Sequence, residues 1–155
     1  MKKEKIHSLV LITTLAYTVL LIYWMFFGFG RITYTDYIFN LIPFKSIYSF
    51  FEAYIGHVKN MPNMAKKEFW NFAVNIFGNI GVFIPFGILL PILFNECFKK
   101  AFVVFGVGIL ILETAQFISR RGVFDVDDIL LNTIGFLIGY EMIGKTNFRQ
   151  VGGKM

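Results

Sequence analysis

Long uncharged apolar runs constrain this chain more than any other feature. Residues 6–30 contain no Asp, Glu, Lys or Arg, and about 20 apolar residues in a helix are enough to cross a bilayer. A second uncharged run covers residues 69–95, and a third at 101–119 is interrupted only by Glu113. A shorter apolar segment follows an acidic start at 125–144. The runs predict an all-α, polytopic integral membrane helical bundle of about four transmembrane helices.

The composition agrees with lipid as the solvent of much of this surface. Hydrophobic residues make up 56% of the 155 residues and charged residues 16%, whereas soluble domains carry about 25% charged residues. The length favours a single domain over residues 1–155. The net charge of +5 does not indicate nucleic acid as a partner, because Lys and Arg stand in short clusters between apolar runs. Such clusters set topology and contact anionic headgroups.

The distribution of basic residues predicts the orientation of the chain. Four spans place both termini on the same side of the membrane. The short segments on that side, including a tail at 145–155, are denser in Lys and Arg than the long loop at 31–68 on the other side. Because basic density marks the cytoplasmic side, we expect both termini to be cytoplasmic and the long loop to be outside.

The long outer loop contains a segment with helical periodicity at residues 45–59. Its apolar positions fall on one helical face: Ile47, Phe51, Tyr54, Ile55 and Val58. Its polar positions fall on the other face: Lys45, Ser49, Glu52 and Lys59. This pattern is typical of an amphipathic helix lying in the membrane interface. A solvated loop with accidental periodicity is the alternative.

Polar residues recur at helical spacing in three of the four predicted spans. The second span carries Asn71, Asn75 and Asn79, and the third carries Glu113 and Gln116. The fourth carries a stripe made of Asp125, Asp128, Asn132, Gly135 and Gly139. Residues three or four apart share a helix face. With the predicted topology, the amide and acidic residues of these faces all lie within roughly 15 Å of the outer interface, so we expect them to converge there.

Two interpretations of this convergence remain open. Asn and Gln between membrane helices often only hold the helices together, and Gly135 with Gly139 favours close packing against a neighbouring helix. Asp127 or Asp128 suits the N-terminus of the last helix. A charged Glu113 would cost about 3 kcal/mol near mid-bilayer, so it needs a partner such as Arg120 or Arg121. Intramembrane acids are nevertheless typical of functional sites.

The acidic residues fit two kinds of ligand chemistry. Asp125, Asp128 and Glu113 are candidate ligands for a divalent cation such as Mg²⁺ or Ca²⁺, which would bridge to a lipid phosphate. Alternatively, the acids and amides receive a headgroup directly. The single cysteine, Cys97, excludes an intrachain disulfide. The two histidines are far apart in sequence and do not indicate a metal site.

Three stretches of the chain together resemble the VanZ-like family of bacterial membrane proteins. The first is Asn-Leu-Ile-Pro-Phe at 40–44, and the second contains Asn75-x-x-Gly-Asn79 followed by Phe-x-Pro-Phe-Gly at 83–87. The third contains Glu113-x-x-Gln116, Arg-Gly-Val-Phe-Asp-Val-Asp-Asp at 121–128, and Asn132-x-x-Gly. The order and spacing of these pieces across about residues 35–140 carry the resemblance.

The resemblance implies a multi-pass protein of the bacterial cytoplasmic membrane, involved in resistance to teicoplanin-type glycopeptide antibiotics or in cell-envelope homeostasis. It supplies no catalytic residues. The candidate ligand-binding residues are the matching polar ones: Asn75, Asn79, Glu113, Gln116, Arg121, Asp125, Asp127, Asp128 and Asn132. The expected partners are membrane lipids, a lipid-linked cell-wall precursor or a lipoglycopeptide. Binding without catalysis is the leading hypothesis. A lipid-modifying enzyme with an acidic, metal-assisted site and an accessory structural subunit are the alternatives.

Overall fold

The computed structural model describes residues 2–28, 33–58, 61–95 and 97–145. Within these ranges the fold is all-α apart from one pair of two-residue strands, as the apolar runs predict. The elements in order are α1 (Lys2–Phe27), β1 (Phe39–Asn40), α2 (Lys45–Val58), α3 (Pro62–Leu93), α4 (Phe98–Ile118), β2 (Phe124–Asp125) and α5 (Val126–Lys145). The predicted tail at 145–155, beyond its first residue, lies outside the described residues, as do residues 29–30 of the first predicted span.

Three helices are long and apolar enough to cross a membrane. By length and composition these spans are Glu4–Phe27, Asn63–Leu93 and Phe98–Ile118. Apolar side chains stay exposed along them, and in α1 Leu9 and Ile12 are 64% and 63% exposed. A surface so rich in exposed aliphatic side chains suits lipid rather than water as its solvent.

The fourth predicted span corresponds to α5, which packs directly against α3. A Cβ added at Gly135 would lie 2.1 Å from the carbonyl oxygen of Ile80, and one at Gly139 would lie 2.1 Å from that of Ile84. Gly87 of α3 meets the α5 backbone just as closely. Residue numbers rise together along both helices, so they run parallel. The expectation that Gly135 and Gly139 pack closely against a neighbour is confirmed, and that neighbour is α3.

Aromatic contacts fix the register between α4 and α5. The ring centroids of Phe105 and Phe136 are 4.5 Å apart, and those of Phe98 and Tyr140 are 4.7 Å apart. Because the numbers rise on one helix as they fall on the other, α4 and α5 run antiparallel. Phe136 is completely buried, so this contact lies at the centre of the bundle.

The first helix packs on the middle of α3 and leaves most of its own surface exposed. The Tyr17 hydroxyl donates a hydrogen bond to the carbonyl oxygen of Val82 over 2.9 Å, and the Tyr17 ring contacts Phe86 at 5.3 Å. Leu21, one turn further on, is 3% exposed. One side of α1 therefore joins the core.

The helix predicted at residues 45–59 is present as α2 and lies against the first turns of α3. The rings of Phe50 and Phe72 stack in parallel with centroids 3.8 Å apart. Near the end of α2, Nδ1 of His57 lies 2.8 Å from Oε1 of Glu68. Because of this packing, α3 begins at Pro62 rather than at the predicted residue 69. Proline is also favoured in the first turn of a helix, where its missing N–H costs nothing.

The apolar face predicted for α2 only partly coincides with the face that contacts α3. Tyr54 contacts α3 through Phe69 and Phe51 contacts it through Phe72, but Phe51, Ile55 and Val58 remain largely exposed. Phe50, which was not on the predicted face, makes the closest aromatic contact with α3. The exposed residues are available to the membrane interface, as predicted for an interfacial helix. Lys59 of the predicted polar face lies outside the described residues.

A short parallel strand pair links the segment after α1 to the turn before α5. Phe39 is paired with Phe124 and Asn40 with Asp125. The turn itself follows a Schellman-type end of α4, in which Arg120 adopts a positive φ of 56° and the N–H of Arg121 returns to α4. Together these features bring the outer loop and the start of α5 side by side.

Candidate functional site

Polar residues from four helices meet where α1 and α4 end and α5 begins. Nε2 of Gln116, near the end of α4, donates to the carbonyl oxygen of Met25 near the end of α1, over 3.1 Å. Nδ2 of Asn79 in α3 donates to Oδ1 of Asp128 at the start of α5, over 2.7 Å. The structure therefore gathers the polar stripes at one end of the bundle. The individual residues take part in different ways.

Asp125 and Asp127 fasten the outer loop to the start of α5. The two oxygens of Asp127 accept hydrogen bonds from the backbone N–H groups of Phe44 and Ser46, at 2.5 and 2.9 Å. The two oxygens of Asp125 accept from the Asn40 amide at 2.9 Å and from the Ser46 hydroxyl at 2.6 Å. We call Asp125 and Asp127 the fastening acids, because these contacts occupy both oxygens of each carboxylate.

The contact with Asp127 explains how α2 begins. The first N–H groups of a helix have no partner within the helix and carry a partial positive charge. Asp127 supplies a negative acceptor to this end of α2 from far along the sequence. It also holds Phe44, whose φ of 65° is uncommon for a residue other than glycine. Asp127 was expected to suit the N-terminus of the last helix, and its carboxylate caps the N-terminus of α2.

Gln116 and Arg121 close the end of α1. The last carbonyl groups of a helix lack partners within the helix and carry a partial negative charge. Arg121 donates to the carbonyl oxygen of Phe26 over 2.6 Å, and its guanidinium lies over the ring of Phe27 at 4.8 Å. Together with the contact from Gln116 to Met25, this satisfies two successive carbonyls of α1. Arg121 is thus engaged with α1.

Glu113 and Asn132 are buried in the interior of this polar end. Glu113 is 2% exposed and Asn132 is 1% exposed. The rings of Phe105 in α4 and Phe136 in α5 stack on each other. Glu113 is eight residues from Phe105, and Asp128 is eight residues from Phe136. Both acids therefore lie about 12 Å along their helices from this aromatic contact. They therefore occupy the same depth. Oδ1 of Asn132 accepts no hydrogen bond from any described residue.

Asp128 stands apart from the fastening acids because it interacts with α3. Besides accepting the bond from Asn79, Asp128 lies close enough to the side chain of Asn75 to interact with it. Asp128 and Asn79 are half-buried, whereas Asn75 is exposed. We call these three residues the Asp128 cluster. It is the part of the predicted site that combines a carboxylate with amides and remains open to the surroundings of the bundle.

The predicted metal ligands are distributed over different environments. Both carboxylate oxygens of Asp125 accept hydrogen bonds from residues of the outer loop. Asp128 contacts the amides of α3, and the Glu113 side chain on α4 is buried. In the part of the chain that the structure describes, no three His, Cys, Asp or Glu side chains come close enough to hold a metal ion.

Two residues of the polar end were absent from the sequence-based candidates. Asn40 and Ser46 bind the fastening acids from the outer loop, so a search for polar stripes on predicted helices does not find them. Asn40 does lie within the first stretch that carries the family resemblance, and that position was the available signal. Asn71, the third member of the α3 asparagine stripe, is exposed.

The fold and the site define an integral membrane protein with a helical bundle whose polar end is tied together by a loop. The VanZ/LLP1 family profile matches residues 14–145. Protein VanZ of Enterococcus faecium is 32% identical over 108 residues, which cover 69% of this chain and 66% of that protein. No solved structure matches the chain. The chain belongs to the VanZ/LLP1 family, as the three sequence stretches predict.

Proposed function

We propose that this protein binds the headgroup of a lipid or lipid-linked molecule at the outer leaflet through the Asp128 cluster, in glycopeptide resistance or envelope homeostasis. The observation that carries the proposal is the division among the polar residues. The fastening acids, Gln116 and Arg121 are engaged in closing loop and helix ends. The Asp128 cluster is the open remainder, with one carboxylate and two amides.

The energetics of the site support a ligand. A carboxylate within a membrane helix costs about 3 kcal/mol on insertion scales, and the hydrogen bond from Asn79 offsets only part of that cost. Asn75 also presents an exposed amide, which has donors and an acceptor to offer a ligand. A polar headgroup seated on the cluster supplies the missing hydrogen bonds. This gain gives the binding its driving force.

The orientation of the protein in the membrane is assigned from the distribution of its basic residues. We assign the protein to the bacterial cytoplasmic membrane with both termini cytoplasmic, because the basic residues are densest at the segments on that side. The parallel course of α3 and α5 fits this topology, since both helices then enter from outside. The Asp128 cluster consequently faces the outer leaflet, where lipid-linked cell-wall precursors and lipoglycopeptides are found.

Replacing Asp128 by Asn tests the proposal. Asn retains an oxygen that accepts the bond from Asn79 and removes only the charge, so the bundle should assemble normally. In a bacterium that depends on this protein for teicoplanin tolerance, the growth-inhibiting concentration should fall to that of cells without the protein. The matched control is Asp36→Asn, which removes one charge from an exposed loop residue whose side chain accepts a hydrogen bond from its neighbour Thr35.

Membrane abundance of both variants, measured by immunoblot, separates loss of binding from loss of protein. Full tolerance of the Asp128→Asn strain at normal abundance would refute the proposed site. A parallel loss of tolerance and abundance in the Asp128→Asn strain alone would instead identify Asp128 as a structural residue of an accessory subunit.

A further inference from the structure

The turn at the start of α5 carries negative charge that the described chain does not balance. Asp125 and Asp127 lie close enough to Asp128 for their charges to act on it. Among the described residues, every donor of a hydrogen bond to the fastening acids is a neutral amide, hydroxyl or backbone N–H group. The two nearby arginines, Arg120 and Arg121, donate to backbone carbonyls of other segments.

A second observation concerns the buried side chain of Asn132. Asn132 is four residues after Asp128, so the two side chains share a face of α5 about 6 Å apart along the axis. Side chains on a helix lean toward its N-terminus, which directs Asn132 toward Asp128. Oδ1 of Asn132 is buried and accepts no hydrogen bond from the described residues. A buried acceptor without a partner among the described residues therefore lies one helical turn from Asp128 on the same face of α5.

We infer that the Asp128 cluster recognises a primary ammonium group carried by a lipid headgroup. This inference rests on the proposed function and specifies the chemistry of its ligand. An ammonium group brings positive charge and three N–H donors, which match the carboxylate of Asp128 and the free oxygen of Asn132. The excess negative charge of the turn attracts such a group and repels a bare phosphate.

The geometry also orders the two contacts by depth. Asp128 is half-buried at the edge of the cluster and Asn132 is buried one turn further in. The nitrogen therefore enters past Asp128 toward Asn132, while the headgroup phosphate stays outside the bundle. A quaternary ammonium carries the charge but has no N–H to donate to Asn132, so it satisfies only the outer contact.

Binding of short-chain lipids to the purified, detergent-solubilised protein tests the inference. The probes are dihexanoyl phosphatidylethanolamine, phosphatidylcholine and phosphatidylglycerol, and binding is measured by equilibrium dialysis with mass-spectrometric detection. We expect the ethanolamine lipid to bind about tenfold more tightly than the glycerol lipid, since a charge-assisted hydrogen bond has that effect on affinity. The choline lipid should fall between them. Free ethanolamine, as a fourth probe, shows whether the amine alone suffices.

Two variants identify the residues responsible. The Asp128→Asn protein should no longer prefer the ethanolamine lipid over the glycerol lipid. The Asn132→Ala protein should no longer prefer the ethanolamine lipid over the choline lipid. Asp36→Asn is the control and should change neither ratio. A purely structural role would lower binding of all lipids together without moving these ratios.

The outcomes distinguish failure of this inference from failure of the proposed function. Asp128-dependent binding with equal affinity for the ethanolamine and glycerol lipids would overturn ammonium recognition and leave headgroup binding standing. A preference for the ethanolamine lipid that survives in Asp128→Asn would overturn the assignment to this cluster. Absence of Asp128-dependent binding to any of these probes would overturn ammonium recognition, and loss of tolerance in the Asp128→Asn strain at normal abundance would still support the proposed function.

Discussion

Substitution of Gly139 by Ala should destabilise the bundle, although alanine is the better helix former. A Cβ at this position would lie 2.1 Å from the carbonyl oxygen of Ile84, whereas real Cβ atoms essentially never approach within 3.0 Å. The α3 and α5 backbones must therefore separate by about 0.9 Å at this point. Backbone atoms cannot rotate away as the end of a flexible side chain does.

The magnitude follows from two opposing contributions. Overpacking a tight contact costs about 1–3 kcal/mol, and replacing a helical glycine by alanine returns up to about 1 kcal/mol. The net loss is about 1–2 kcal/mol of unfolding free energy. The matched control is Gly81→Ala in α3, where an added Cβ meets nothing within 4 Å. That variant should be stabilised by about 0.5–1 kcal/mol, so the two substitutions have opposite signs.

The assay is reversible unfolding of the purified protein in mixed micelles with increasing SDS, followed by far-ultraviolet circular dichroism. Gly139→Ala should unfold at a lower SDS fraction than the natural protein and Gly81→Ala at a higher one. Equal or greater stability of Gly139→Ala would refute the close approach of α3 and α5 on which the register of the site depends.

Two further substitutions test the contacts that close the polar end. Asp127→Ala removes the acceptor of two backbone N–H groups at the start of α2, and each lost bond to a charged group is worth about 1.5–3 kcal/mol. Amide hydrogen exchange at residues 44–48 should accelerate, while Asp36→Ala should leave it unchanged; unaltered protection in both would contradict the fastening role. Arg121→Gln should loosen the last turn of α1, seen as faster exchange at residues 24–27, and unchanged exchange there would show that Arg121 does not secure this end.

The sequence predicted the helices well because lipid imposes a simple length requirement. Uncharged runs that suffice to cross a bilayer located α1 and α4 to within a few residues and showed where α5 lies. Helical spacing also identified the face of α5 that meets α3, since Gly135 and Gly139 can share a close backbone contact. The start of α3 was placed too late, because its charged first turns pack on α2 and so extend the helix beyond the apolar run.

The partners of the polar residues could not be derived from spacing. Periodicity shows which side chains share a face, but it does not show which distant segment covers that face. Asn40 meets Asp125 across 85 sequence positions, and the path between them includes three helices. Arg121 was considered as a counter-ion for Glu113, and in the structure it donates to the carbonyl oxygen of Phe26 at the end of α1. Such choices depend on three-dimensional competition among acceptors.

The two-residue strand pair has a consequence for how the molecule is made. Ribosomes deliver the chain from its N-terminus, so Phe39 and Asn40 emerge long before their partners Phe124 and Asp125. The outer loop must wait, unpaired, while α2, α3 and α4 are synthesised and inserted. Closure of the polar end thus follows the synthesis of α2, α3 and α4, and a nascent chain of 58–124 residues contains α2 but neither of the carboxylates that hold it.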